Sequence, residues 1–162
     1  MIRRSIQKLP DRTDVLIIQA LQADARQAWS ALAKQVGLSA PAVAERVRRL
    51  EEAGVIRGYQ AEIAPESLGY TLMAFMRLTA PATRYDQVIA KAKRIPEVLE
   101  CHHVAGGDSF LLKLLARDVK HLERLIGEFT PFGQTGTTIV LSSPVTKRGI
   151  DPQAAQVPLR RR

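Results

Sequence analysis

The stretch GLSAPAVAERVRRLEEAGVIRGY, residues 37–59, carries a glycine near each end of an amphipathic run. Val43, Val47 and Leu50 recur at spacings of four and three, which makes a single buried stripe on an α-helix and no consistent face on a strand. Ser39 is placed to accept a hydrogen bond from a free first-turn amide, and Pro41 falls in that turn, where its missing N–H costs nothing. Gly54 takes the position just past the helix end, with Val55 expected to pack back on Leu50. The opposite face carries Ala44, Glu45, Arg48 and Glu52, with Arg46 and Arg49 on its flanks. The alternation of VIRGYQAEI then predicts a short strand or hairpin edge, broken at Gly58.

Two helices precede this one. Asp11 is an N-cap for RTDVLIIQALQAD, with Asp14 adding a carboxylate where the helix dipole favours it, and the helix is expected to end near Asp24. Val15, Ile17, Ile18 and Leu21 supply its apolar spacing. In WSALAKQV, the residues Leu32, Ala33 and Val36 form the inner face, and Gly37 ends the helix in a left-handed conformation. Helix, short helix, tight turn and helix make a helix-turn-helix, whose second helix enters the major groove with its N-terminal residues at the bases. The predicted DNA-binding set is Ser39, Ala40, Pro41, Ala44, Glu45, Arg46, Arg48, Arg49 and Arg57. Ala40 and Ala44 permit close approach, and Arg48 pairs with a guanine edge or a phosphate. Arg46, Arg49 and Arg57 are expected on phosphates, which fix affinity and register but read no sequence. The alternative is a three-helix core whose arginines are merely solvated.

Charge agrees with a polyanionic partner without proving one. The net charge is +8; residues 1–60 hold 10 basic and 6 acidic side chains, residues 61–150 hold 11 and 9, and residues 151–162 hold 3 and 1. The excess therefore lies at the two ends.

Composition changes after residue 60. Residues 61–69, with Ala64-Pro65-Glu66, read as a linker; residues 70–150 read as a second domain; residues 151–162 read as a flexible basic tail whose arginines serve solubility, the alternative being contact with DNA. In the second domain YTLMAFMRLTA is an apolar strand. RYDQVIAKAKRI is a helix with Val88, Ile89, Ala92 and Ile95 inward, ended by Pro96. EVLECHHVAG and FLLKLLA are strands about the turn GDS. DVKHLERLIGEF is a helix capped by Asp118, with Val119, Leu122, Leu125, Ile126 and Phe129 inward, and TGTTIVLSSPV is a β-branched final strand. The order βαββαβ predicts a ferredoxin-like sandwich, making the whole chain α+β. Its helices cover one sheet face. The other is expected to be apolar, with Phe75 and Leu78 or their neighbours exposed, so that a second copy must cover it. Sheet-to-sheet packing in at least a homodimer is the expectation.

With these residues in view, LAKQVGLSAPAVAERVRRLEEAGVIRGYQAEIAPESLGY followed by PEVLECHHVAGGDSFLLKL resembles the leucine-responsive and asparagine-responsive (Lrp/AsnC) regulators of bacteria and archaea, over roughly residues 9–147. The resemblance implies a DNA-binding N-terminal domain acting upstream of amino-acid metabolism genes. It further implies a C-terminal domain that senses an amino acid between subunits, and dimers that assemble further, to tetramers or octamers. The loop VAGGDSF corresponds to the family's effector loop, which gives an effector-binding role to Gly106, Gly107, Asp108 and Ser109. Glycine amides there can hold a carboxylate and an aspartate can hold an ammonium. Two departures stand out. Many members have Asp directly before the loop's aromatic residue, where this chain has Ser109 with Asp108 one residue earlier. The family's frequent serine before the second helix is here Ala28, and the adjoining Trp29 is expected to pack at the helix start rather than to stack on DNA.

Other chemistry is weakly represented. Cys101 and His103 share a strand face without an evident third metal ligand, and nothing in the sequence orients either as a nucleophile-base pair. There is no P-loop, dinucleotide glycine pattern or paired-carboxylate signature, so no cofactor and no enzymatic activity are expected. A lone cysteine suits a reducing compartment, and no segment reaches the ~20 apolar residues of a membrane span. A cytoplasmic, nucleoid-associated protein without a membrane partner is expected. The leading reading is a sequence-specific regulator of double-stranded DNA modulated by an amino acid. A non-specific DNA-compacting protein is the alternative, and a metabolite-binding enzyme with a vestigial helix-turn-helix is a third, weaker one.

Overall fold

The computed structural model describes residues 10–146, 148–152 and 154. The basic segment before Pro10 and the expected flexible tail, apart from residues 151, 152 and 154, lie outside the described residues. The chain divides into two compact units, Met1–Ala61 with Val145–Arg162, and Glu62–Pro144.

In the first unit three helices, α1 (Arg12–Ala23), α2 (Trp29–Val36) and α3 (Ala40–Glu52), enclose a core of Ile17, Leu21, Leu32, Ala33, Val43, Val47 and Leu50. A reciprocal capping box opens α1: the Asp14 amide donates to Asp11 Oδ1 at 2.8 Å, and the Asp11 amide to Asp14 Oδ2 at 3.1 Å. Gly37 ends α2 at φ 69°. Two residues further on, Ser39 Oγ accepts the Ala42 amide at 3.4 Å, capping α3.

At the end of α3, Gly54 adopts φ 68° and donates its amide to the Glu51 carbonyl, while the Val55 amide reaches Leu50 O at 2.9 Å. This left-handed close satisfies carbonyls that an α-helix leaves unpaired. The chain after it corrects two expectations. Val55 stays exposed and it is Ile56 that packs against the core. No strand forms between residues 55 and 63. The amides of Val55 and Ile56 are both spent on the Leu50 carbonyl, and no neighbouring strand offers a ladder. Trp29, expected to pack, is 43% exposed. It lies in the first turn of α2, ahead of the buried Leu32 and Ala33, and Ala28 before it provides no side-chain cap.

The second unit has the order β1 (Leu72–Thr79), α4 (Tyr85–Arg94), β2 (Val98–His103), β3 (Phe110–Ala116), α5 (Val119–Gly127) and β4 (Gln134–Ile139). The strands form one antiparallel sheet in the order β2-β3-β1-β4, the ferredoxin-like arrangement expected. Ala74, Met76 and Leu78 of β1 and Phe110, Leu112 and Leu114 of β3 are buried with Val88, Ala92, Leu122, Leu125 and Phe129.

Strand alternation then settles what the other face holds. Leu78 belongs to the core and is fully buried, so only Phe75 of the two expected residues is exposed. Phe75 pairs across the ladder with Lys113, whose Nζ lies 3.1 Å from Glu100 Oε1, and Glu100 Oε2 lies 3.0 Å from His102 Nε2. The open face is thus mixed, with Met73, Phe75, Leu111 and Leu115 beside Arg77, Lys113, Glu100 and His102, rather than uniformly apolar. On α5, Val119 is 66% exposed and His121 is buried in its stead. His121 Nδ1 accepts from the Arg117 amide at 3.3 Å, and its Nε2 lies 3.4 Å from Glu97 Oε1. Val119 sits in the first turn beside the Asp118 cap, off the stripe set by Leu122 and Leu125.

Candidate functional site

Two sets of predicted site residues are brought together, one in each unit. On α3 the buried stripe leaves Pro41, Ala44, Glu45 and Arg48 on the opposite face at spacings i, i+3, i+4 and i+7. Pro41 and Arg48 are exposed, and Ala44 and Glu45 are half-exposed. Ala40 turns partly inward onto the core and Ser39 is occupied by capping. Glu45 organises the charges here. It receives Arg48 Nη2 at 2.8 Å and Arg49 Nε at 3.1 Å, and Arg48 also pairs with Glu52. The two guanidinium hydrogen bonds pull the Glu45 carboxyl down to about 2, and those of Glu45 and Glu52 raise Arg48. These pairs lie in solvent, where ion pairs of adjacent helix turns are worth little, so Arg48 and Arg49 remain available to a stronger anion.

Arg46 is different. Its Nη1 lies 2.8 Å from Asp11 Oδ2 and 2.7 Å from Asp14 Oδ1, tying α3 to the capping box of α1. The backbone bond from Asp14 and the Arg46 guanidinium lower Asp11, and the two carboxylates raise Arg46. Arg46 was expected on a phosphate; two carboxylates already occupy its guanidinium. Arg57 is exposed and makes no ion pair among the described residues.

The second set gathers around the β2–β3 loop. Gly106 takes φ 140°, which a side chain would resist. Ser109, three residues further on, turns inward: its Oγ donates to Ala80 O at 3.0 Å and accepts the Ala80 amide at 3.1 Å, and its own amide donates to Leu78 O at 2.9 Å. Ser109 is 7% exposed. It therefore pins the loop to the end of β1. Asp108 points the other way, onto the open sheet face. Thr79 Oγ1 donates to Asp108 Oδ1 at 3.4 Å, and Arg77 Nη1 stands 4.0 Å from Asp108 Oδ2. With Gln134, Thr135 and Gly136 of β4 these residues line a pocket of about 230 Å³. Gly136 faces Arg77 across the ladder, and a Cβ there would lie 3.3 Å from Arg77 Nη2, so the glycine gives the guanidinium its room.

The Cys101–His103 pair lies on the helix-facing side. Burial pushes the Cys101 thiol up, which disfavours the thiolate that nucleophilic or metal chemistry needs. The His103 ring packs against Tyr85 and Phe110, with centroids 4.8 and 5.1 Å away. Among the described residues no three His, Cys, Asp or Glu side chains are grouped to hold a metal, and no helix is long and apolar enough to cross a membrane.

Residues 11–51 match the AsnC-type helix-turn-helix domain and residues 73–150 the Lrp/AsnC ligand binding domain. The chain belongs to the Lrp/AsnC family. It is 38% identical over 136 residues to the HTH-type transcriptional regulator LrpA of Mycobacterium tuberculosis, covering 82% of this chain and 91% of that protein. Two solved structures share the fold of this family member. A feast or famine regulatory protein of M. tuberculosis complexed with L-methionine has a TM-score of 0.80 and 37% identity, over 85% of this chain and 96% of that one. A Neisseria meningitidis transcriptional regulator in complex with L-Met has 0.81 and 27%, over 86% and 95%. Relatives named as transcriptional regulators favour specific regulation over DNA compaction.

Arg77, Thr79 and Gln134 join Asp108 only through the ladders that place β1 between β3 and β4, so a one-dimensional motif search passes over them. The signal available in sequence was Arg77 itself, a charge in an otherwise apolar strand.

Proposed function

We propose that this Lrp/AsnC regulator binds operator DNA through α3 and responds to a free amino acid held by the pocket at the β2–β3 loop. The observation that carries the ligand reading is the pairing of Arg77 and Asp108 at the mouth of one pocket. A zwitterion presents a carboxylate to the guanidinium and an ammonium to the aspartate, and the amides of Gly106 and Gly107 add donors for the carboxylate. The L-methionine bound by two relatives fits this ligand class. Ser109 serves as the loop's anchor, leaving recognition to Asp108.

On DNA, the small Pro41 and Ala44 let α3 approach the groove floor, with Ser39 and Ala40 leading the helix in. Arg48 leaves Glu45 to meet a base edge, and Arg49 and Arg57 meet phosphates. Arg46 braces α1 against α3. The functional particle is a homodimer or a tetramer or octamer built from it, with the open sheet face and its Phe75 covered by a second copy. Recognition helices of a dimer then meet half-sites ~34 Å apart or a multiple of it. The protein works in the cytoplasm on the nucleoid and catalyses no reaction.

The experiment is a pair of substitutions. Arg48→Ala reduces the affinity ratio between operator and random duplex, by roughly 5- to 160-fold if one bidentate base contact worth ~1–3 kcal/mol is lost. Arg49→Ala weakens binding to both duplexes alike. Identical behaviour of the two variants rejects this division of roles.

A further inference from the structure

β2 lies at one edge of the sheet, and its ladder with β3 is irregular. Val98 stands opposite Leu114 and Glu100 opposite Lys113, which leaves Leu99 as an extra residue. Such a bulge re-aims a side chain. As a result Val98, Leu99, Cys101 and His103 all line one cavity of about 350 Å³ between β2 and α4, with Ile89 and Ala92 on the helix side and Phe110 as its buried wall. That volume suits a small organic molecule. The cavity shares no residue with the pocket of Arg77 and Asp108, and it lies on the opposite, helix-facing side of the sheet. Leu99 and Ile89 are both exposed at its mouth, apolar groups that no other part of the second unit covers.

The polar groups around this cavity are unevenly matched. Lys93, on its rim, is exposed and makes no ion pair or hydrogen bond among the described residues, whereas Lys91, two positions earlier on α4, is paired with Glu128. The ring nitrogens of His103 have no hydrogen-bond partner among the described residues either; the ring is held by Tyr85 and Phe110. Glu100, the carboxylate on this stretch, is already engaged, through Oε1 with Lys113 and through Oε2 with His102. The cavity therefore presents a free ammonium and a free imidazole and no free acid. We infer that it is a second ligand site, which takes a small carboxylate with an apolar body and no ammonium group. The carboxylate meets Lys93 Nζ and a ring N–H of His103, both donors to an anion. The body covers Leu99, Ile89 and Phe110, and removing that apolar surface from water supplies most of the affinity. A free amino acid is rejected here, because its ammonium meets the like charge of Lys93 and finds no acceptor side chain. The site thus differs in ligand class from the pocket at the β2–β3 loop, and it stands whether or not that pocket holds an amino acid.

The test is a saturation-transfer difference NMR titration of the full-length chain with phenylacetate, and with 2-phenylethylamine as a probe of the same body and opposite charge. A ligand of this size binds in the millimolar range, so phenylacetate should titrate below about 10 mM, and the amine should not. Lys93→Gln removes the charge from an exposed side chain and should weaken phenylacetate by about 5-fold, the upper end for an ion pair in solvent. Leu99→Glu sets a carboxylate in the mouth of the cavity and should abolish binding. Its Tm beside that of the parent shows whether it is folded, and Lys93→Gln carries the test if it is not. No phenylacetate signal from the parent overturns the inference. So does equal binding of the acid and the amine, or an affinity for phenylacetate that Lys93→Gln leaves unchanged. Binding that survives in folded Leu99→Glu places the ligand elsewhere and overturns it too. A parent that binds no phenylacetate, beside a Leu99→Glu chain of lower mass in sedimentation, would give the cavity to a second copy of the chain instead.

Discussion

Adjacent residues in the β2–β3 loop are assigned opposite tasks, and the assignment has a measurable consequence. In Ser109→Ala the Ala80 amide and carbonyl both lose their side-chain partner. Ala80 is 8% exposed, so water does not freely replace the hydroxyl. Leaving a buried donor or acceptor unsatisfied costs ~1–3 kcal/mol, and even the lower figure at each group gives about 2 kcal/mol. For a domain of this size 1 kcal/mol moves Tm by ~4–8 °C, so the second unit should melt ~8–16 °C lower. Asp108→Ala removes only a weak hydroxyl bond and a 4.0 Å ion pair on a side chain 36% exposed. That contact is worth ~0–1 kcal/mol, and Tm should fall by no more than a few degrees. The ligand response reverses the order: L-methionine or whichever amino acid serves raises the Tm of the parent and of residual folded Ser109→Ala, and fails to raise that of Asp108→Ala. Scanning calorimetry is the assay, because the one tryptophan, Trp29, lies in the other unit and its fluorescence does not follow this one. A Ser109→Ala protein with parental Tm and no ligand response, beside an Asp108→Ala protein that still responds, would refute the assignment.

Two further outcomes are expected. Asp11 has its pKa lowered by the Asp14 amide and Arg46, so its contribution to the first unit is complete above the ordinary aspartate value of ~3.9 and disappears as pH falls through the lower folded value. Followed by Trp29 fluorescence, the parent should lose more thermal stability between pH 5 and pH 3 than Asp11→Asn, which keeps a capping side chain but no charge; equal losses would remove Asp11 from the acid response. Phe75→Glu places a carboxylate on the open sheet face and should yield a lower-mass species in sedimentation; an unchanged mass would mean that subunits meet elsewhere.

The local signals in the sequence carried a long way. Asp11, Ser39, Gly37, Gly54 and Asp118 each cap or close the helix their chemistry suggested, because capping depends on residues three or four positions apart. The ferredoxin-like order followed from alternating periods. What escaped depends on partners far along the chain. VIRGYQAEI alternates like a strand but has no strand to pair with, and Leu78 could be placed inside only once its position opposite Phe110 was known. Arg46 looked like any flank arginine until α1 brought Asp11 and Asp14 to it from more than thirty residues away. The proposed ligand pocket is the clearest case. Its loop was legible from the family resemblance, but that Ser109 turns inward while Asp108 faces the open sheet was not, and Arg77 and Gln134 arrive only through the sheet register.

The most direct measurement is fluorescence anisotropy of the full chain on DNA from upstream of its own gene against a random duplex of equal length, with and without a mixture of the twenty amino acids. Selective binding to the upstream duplex, altered by the mixture and insensitive to it in Asp108→Ala, is the predicted result. Equal binding to both duplexes, unmoved by the mixture, would contradict the account and leave the β2–β3 loop as a structural turn.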